Sequence, residues 1–260
     1  MIRFLAGIAL AVVLPLAAYA NGVVQSMKGD VRAGPVGQTA RTVAVDQRLT
    51  PGTAVVTGAD AQVVLRFDDG QQVVLNQNTE FRIVDFRYEA SDSKMDRTVF
   101  ELIKGALRMA SGAIIGRNRQ AVALRTPQAT IGIRGTDFMV ALVNPAYISV
   151  LQGAVTATNA AGTVAFGAGT FGSVATSAVL ATAIPASALP AAASAAFSSM
   201  SAAAGVAAAG GASEGAAGTA AAAGGTPAAT AATIGAAAAA VAGAAAASRS
   251  SRSNLTTTHH

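Results

Sequence analysis

The chain has 260 residues, 65 of them alanine, and its formal net charge is +5. It has no cysteine, and its only histidines are His259 and His260. Disulfide frameworks, thiolate chemistry and cysteine metal sites are therefore excluded, and a histidine general base or a buried histidine metal site is not expected. Nearly all charge (15 Lys/Arg and 12 Asp/Glu) lies in residues 21–153, whereas 172–247 hold 38 alanines and one charged residue, Glu214. The signs are interspersed, so no nucleic-acid partner is expected.

Residues 1–20 read as a cleaved export signal. Arg3 precedes an apolar run from Phe4 to Ala18, which ends in Ala18-Tyr19-Ala20. Small residues at those positions suit a signal peptidase, and Pro15 argues against the alternative of an uncleaved anchor. The mature chain would start at Asn21, in the periplasm or at the cell surface.

Period-two patterning dominates residues 21–171, which predicts an all-β domain, either a stacked-strand β-sandwich or a solenoid-like module. Ala61, Val63, Leu65 and Phe67 share one strand face, and Asp68-Asp69-Gly70 supplies the turn to Val73 and Leu75. Phe81, Ile83 and Asp85 alternate with Arg82, Val84 and Phe86. Residues 99–103 and 106–109 read as a strand pair around Gly105. Further strands are expected at 122–124, 131–133, 138–142, 148–151 and 154–158. No helical period of useful length is visible.

Residues 90–97 read as an exposed polar loop, and 116–120 as a basic loop whose Arg117 and Arg119 are either solvated or aimed at an anionic envelope component. A weak echo links Met27-Lys28-Gly29-Asp30-Val31, Ile103-Lys104-Gly105-Ala106-Leu107 and Leu151-Gln152-Gly153-Ala154-Val155. Glycine there would let a strand bulge or bend between two layers.

Several segments together resemble the FecR-like domain family. They are Leu49-Thr50-Pro51-Gly52, Val56-Thr57-Gly58-Ala59-Asp60-Ala61, Leu65-Arg66-Phe67-Asp68-Asp69-Gly70, Asn78-Thr79-Glu80-Phe81 and Glu101-Leu102-Ile103-Lys104-Gly105. The closing run is the most specific piece, with Thr126, Pro127, Ala129, Gly132, Arg134, Gly135, Thr136 and Phe138 in the family's order. Val150, Gly153 and Val155 resemble its final strand. The family motif residues carried over are Gly58, Asp69, Gly70, Thr79, Gly105, Pro127, Arg134, Gly135, Thr136, Phe138 and Gly153, each with a structural or an interaction role. Arg134 reads either as a corner lock, with Glu101 or Asp137 as its acceptor, or as a partner contact. The resemblance implies a periplasmic signalling module. With a signal peptide where the family's cytoplasmic anti-sigma region would stand, a direct anti-sigma role is not expected.

The tail divides into a low-complexity Ala/Gly/Ser linker (172–227), a candidate membrane helix (228–247) and a polar tag (248–260). Short helices between its prolines and glycines are expected. Residues 228–247 are uncharged, long enough to span as a helix and followed by Arg249 and Arg252. Three readings stay open for them: an anchor, a linker, or a self-associating segment that would make the chain oligomeric.

The functional expectation is an exported, non-enzymatic protein that binds an unidentified envelope protein or glycan, in envelope signalling. It has no catalytic, cofactor-binding or metal residues and no cofactor. The alternative is a surface or assembly protein anchored or multimerised through the tail. A carboxylate hydrolase using Asp68, Asp69 or Glu101 is the third reading, although Asp68-Asp69 is better explained as turn chemistry.

Overall fold

A computed structural model describes residues 22–210. The expected signal peptide (1–20), membrane helix (228–247) and C-terminal tag (248–260) lie outside the described residues. The first strands are β1 (Gly22–Lys28), β2 (Val31–Pro35), β3 (Arg41–Thr42), β4 (Arg48–Leu49), β5 (Thr53–Thr57), β6 (Gln62–Phe67), β7 (Gln72–Leu75), β8 (Glu80–Arg87) and β9 (Arg97–Ala110). Helix α1 (Ala113–Arg117) follows, then β10 (Val122–Arg125), β11 (Thr130–Leu142), β12 (Ala146–Asn159), β13 (Gly162–Gly167), β14 (Phe171–Val174), β15 (Thr182–Ile184) and helix α2 (Ala191–Gly210).

The strands form one hydrogen-bonded sheet that folds over on itself. Layer A runs β4-β1-β6-β7, then the second half of β9, the second half of β11, the first half of β12, β14 and β15. Layer B runs β3-β2-β5-β8, then the first half of β9, β10, the first half of β11, the second half of β12 and β13. Strands β9, β11 and β12 thus belong to both layers. Each crosses at a glycine with positive φ: Gly105 (+86°), Gly135 (+69°) and Gly153 (+72°). Only glycine takes that conformation without the Cβ penalty. Gly29 (φ +75°) turns the chain from β1 into β2 in the same way. The residues around Gly105, expected as a pair of strands, are therefore one bent strand.

Inward-facing side chains of both layers form one core. Phe67 of layer A lies 4.8 Å from Phe100 and 4.9 Å from Phe86, both of layer B, and Phe81 lies 5.1 Å from Phe100. Ala61, Val63, Leu65, Phe67, Val73 and Leu75 are all buried, as their alternation predicts. Strict alternation fails in β8. A register shift between Ile83 and Asp85 turns Phe86 inward and leaves Asp85 outside, the usual effect of a bulge.

The tail departs from its reading as a linker that starts at 172. Strand β14 pairs with β12, β15 pairs with β14, and α2 starts after Pro190. Helix α2 places Ala193, Phe197 and Met200 on the outer face of layer A, where Val64, Val74, Ala106, Met139 and Ala141 form a second apolar cluster with them. Three side chains one turn apart suffice because the sheet supplies the rest of the apolar surface. Among the described residues no helix is long and apolar enough to cross a membrane.

Candidate interaction surface

The family-motif residues collect at the two rims where the sheet changes layer. At one rim Thr79 is fully buried against the bend in β9. Its Oγ1 accepts the Ala106 N–H at 3.1 Å, and its own N–H donates to Thr57 Oγ1 at 2.8 Å. Thr57 Oγ1 donates to the Asn76 carbonyl at 2.6 Å. Gly58 joins two neighbouring corners, donating to the Asp30 carbonyl at 2.9 Å and accepting the Asn78 N–H at 3.0 Å. Pro127 occupies the β10–β11 turn, which Thr126 closes by donating to the Ala129 carbonyl at 2.8 Å and accepting the Ala129 N–H at 3.1 Å.

At the opposite rim the bends of β11 and β12 rest on each other, Gly153 against the carbonyl of Gly135. Ser111 holds this corner to the end of β9: its Oγ donates to the Thr136 carbonyl at 2.9 Å and accepts the Thr136 N–H at 3.0 Å. Phe138 is fully buried. Asp137 does not pair with Arg134; it takes a two-pronged bond from Arg108, at 2.9 and 2.6 Å. That bond holds the Arg108 pKa above its ordinary value. Glu101 pairs with Arg82 at 3.4 Å. Both expected acceptors of Arg134 are thus engaged elsewhere, and Arg134 is exposed with no ion-pair partner among the described residues.

Asp69 and Gly70 (φ +83°) make the β6–β7 turn. Asp69 Oδ1 accepts the Gln71 N–H at 3.0 Å, while Oδ2 is buried against Gly112 without a well-formed hydrogen bond. Burial raises the Asp69 pKa, with the backbone N–H groups of Gln71 and Ile114 pulling it down. Asp69 and Glu101 are not brought together, since one sits in this turn and the other on the outer face of layer B beside Arg82. Among the described residues no group of three His, Cys, Asp or Glu side chains could hold a metal ion.

The basic loop differs from its sequence reading. Arg117 donates to the fully buried Asp96 carboxylate at 2.6 and 3.1 Å, and to the carbonyls of Glu89 and Ala90 at 2.8 Å. It also lies over the Tyr88 ring, 5.0 Å from the centroid. It is a clamp on the 88–97 loop, and Arg119 is the other exposed basic residue there. The buried Asp96 is the residue that sequence reasoning missed. Nothing in a polar loop distinguishes one aspartate from another before its arginine is known.

Residues 53–156 match the family model described as FecR protein. That segment is a FecR domain. The matched segment begins in β5 and ends in β12, so it contains the bends at Gly105, Gly135 and Gly153 and leaves out the tail elements. Two solved structures of a proposed anti-sigma factor from Parabacteroides distasonis are similar at 16% identity and a TM-score of 0.40, covering 50% of this chain. The match covers 58% of those chains. A cell surface anchoring domain is similar at 24% identity and a TM-score of 0.23, over 24% of this chain and 80% of that one. No curated protein matches.

With the motif residues of the FecR domain at its rims, and the outer face of layer A under α2, the outer face of layer B is the broad surface that the described residues leave open. Arg32, Arg82, Val84, Arg87, Arg97 and Arg125 stand on it, partnered in part by Asp30, Glu80, Asp85 and Glu101.

Proposed function

We propose that this protein is an exported, non-enzymatic FecR-domain protein that binds a component of the cell envelope and acts in envelope signalling. The match to the FecR family carries the signalling part. The signal-like pattern of residues 1–20 supports export to the periplasm or cell surface. Binding through the open face of layer B is supported by the engagement of two polar motif side chains, Thr79 and Asp69, in holding the fold, while Arg134 stays exposed. Membrane attachment, on this reading, belongs to residues 228–247.

Fractionation of cells producing the full chain, beside a copy ending at residue 210, tests location and attachment together. The expected result is export of both, with membrane association lost in the shorter copy. Retention of both in the cytoplasm contradicts the reading. Equal membrane association of the two contradicts anchoring by the tail. Capture from envelope extract on the full chain tests binding, and recovery of nothing above a resin control contradicts it.

A further inference from the structure

Layer B carries a groove with more positive charge than its own residues neutralise. Two hollows of about 490 and 550 Å³ lie side by side on its outer face. Arg87, Arg97, Val99 and Arg125 line both, so the hollows meet along a wall of three arginines. Arg87 and Arg97 are directly opposed in the β8–β9 register. Like charges in that position repel and destabilise a sheet unless something else holds them. Among the described residues Asp85 is the one carboxylate that pairs with them, taking Arg87 Nε and Arg97 Nε each at 3.1 Å. Arg125 has no ion-pair partner among the described residues, because Glu101, its register neighbour, pairs with Arg82. Lys94 adds a further positive charge, and the Asp96 carboxylate at the same hollow is taken by Arg117.

The groove also has an apolar element at each end. Val84 lines one hollow at 41% exposure and Met95 the other at 55%, two of the large apolar side chains that this molecule leaves open. Guanidinium groups match carboxylates in a planar, two-pronged way, which a lysine ammonium does not. We infer that this groove binds an acidic segment of a partner protein, its carboxylates on Arg87, Arg97 and Arg125 and its flanking apolar side chains on Val84 and Met95. This names the partner class for the binding surface proposed above and rests on that reading. It differs from the basic-loop alternative in placing no contact on Arg117.

The test uses the full chain and a fluorescent peptide, Leu-Glu-Asp-Glu-Leu, with a peptide bearing lysine at the three acidic positions as its counterpart. Anisotropy should show binding of the acidic peptide, none of the basic one, and weakening as salt rises from about 0.05 to about 0.5 M. Arg97→Glu should weaken binding by roughly tenfold or more, and Arg125→Ala, which breaks no ion pair, by about threefold to tenfold. Arg66→Ala, an exposed arginine on layer A, should leave it unchanged. Equal binding by Arg125→Ala and the unaltered chain would overturn the inference, as would equal affinity for both peptides. Displacement of the peptide by inorganic phosphate at equal ionic strength, or binding to anionic vesicles but not to the peptide, would also overturn it. Peptide binding without any envelope partner in cells would leave this inference standing and remove the signalling reading.

Discussion

Thr79 fills the space beside Gly105 so completely that a Cβ on the glycine would stand 2.5 Å from the threonine Cα. The two residues come from different parts of the family motif, and their contact lies where β9 passes from layer B to layer A. The threonine hydroxyl accepts the N–H of the residue just after the bend, so the strand gains a hydrogen bond at the point where its ladder is interrupted.

Gly105→Ala should therefore cost about 3 kcal/mol or more, combining left-handed strain with a backbone collision that no rotamer change relieves. Gly37→Ala is the comparison: its φ is +83°, yet nothing lies within 4 Å, so strain alone should cost about 1 kcal/mol. Urea denaturation of both variants checks this. Equal losses would show that the close approach of Thr79 carries no weight.

Arg117→Met should destabilise the domain by about 3 kcal/mol or more, because it leaves the Asp96 carboxylate buried and uncompensated. The carbonyls of Glu89 and Ala90 lose their donors in the same step. Limited proteolysis should cut within 88–97 faster than in the unaltered chain. An unchanged cleavage rate would contradict the clamp.

Asp69 gives a pH dependence of defined sign. Its folded-state pKa is raised by burial, so folding favours the protonated form. That contribution is present in acid and is lost as pH rises through the raised pKa. Asp69→Asn removes the titration. The stability of the variant relative to the unaltered chain should therefore improve as pH rises from the ordinary carboxylate range through the raised pKa. A difference that stays constant with pH would contradict the raised pKa.

Helix α2 should act as the cover of layer A. Phe197→Ala should cost about 2 kcal/mol, less than a deep-core phenylalanine, because the helix can detach locally while the sandwich stays folded. A chain ending at residue 190 should bind a hydrophobic dye and self-associate through Val64, Val74, Met139 and Ala141. A chain ending at 210 should do neither.

Much of this architecture is legible in the residues. The alternation of Ala61 to Phe67, the Asp-Gly turn and the glycines at 29, 105 and 153 all sit where a two-layer reading puts them. The bulge at Ile83–Asp85 is not legible, because a single extra residue changes which face is inward without changing composition. The helix over layer A was signalled from the sheet side. Val63-Val64-Leu65 and Val73-Val74-Leu75 are continuous apolar runs, the mark of strands buried on both faces. The helix itself gives little sign, since only Ala193, Phe197 and Met200 form its contact face within an alanine-rich sequence. Among the candidate site residues, glycine geometry was readable, but the partners of Arg134, Asp137 and Arg117 were not. The Arg108–Asp137 pair depends on the β9–β11 register and the Arg117–Asp96 pair on how α1 packs against the 88–97 loop, neither of which single residues encode.

The central claim is that the motif residues build the sandwich while the arginine face of layer B meets the partner. Site-specific photo-crosslinking in cells tests it most directly, with the reactive group placed at Val84 and, separately, at Arg66 on layer A. The account predicts a discrete adduct with an envelope protein from position 84, absent in Arg97→Glu, and none from position 66. Adducts of equal yield from both positions, or an adduct at 84 that survives Arg97→Glu, would contradict it.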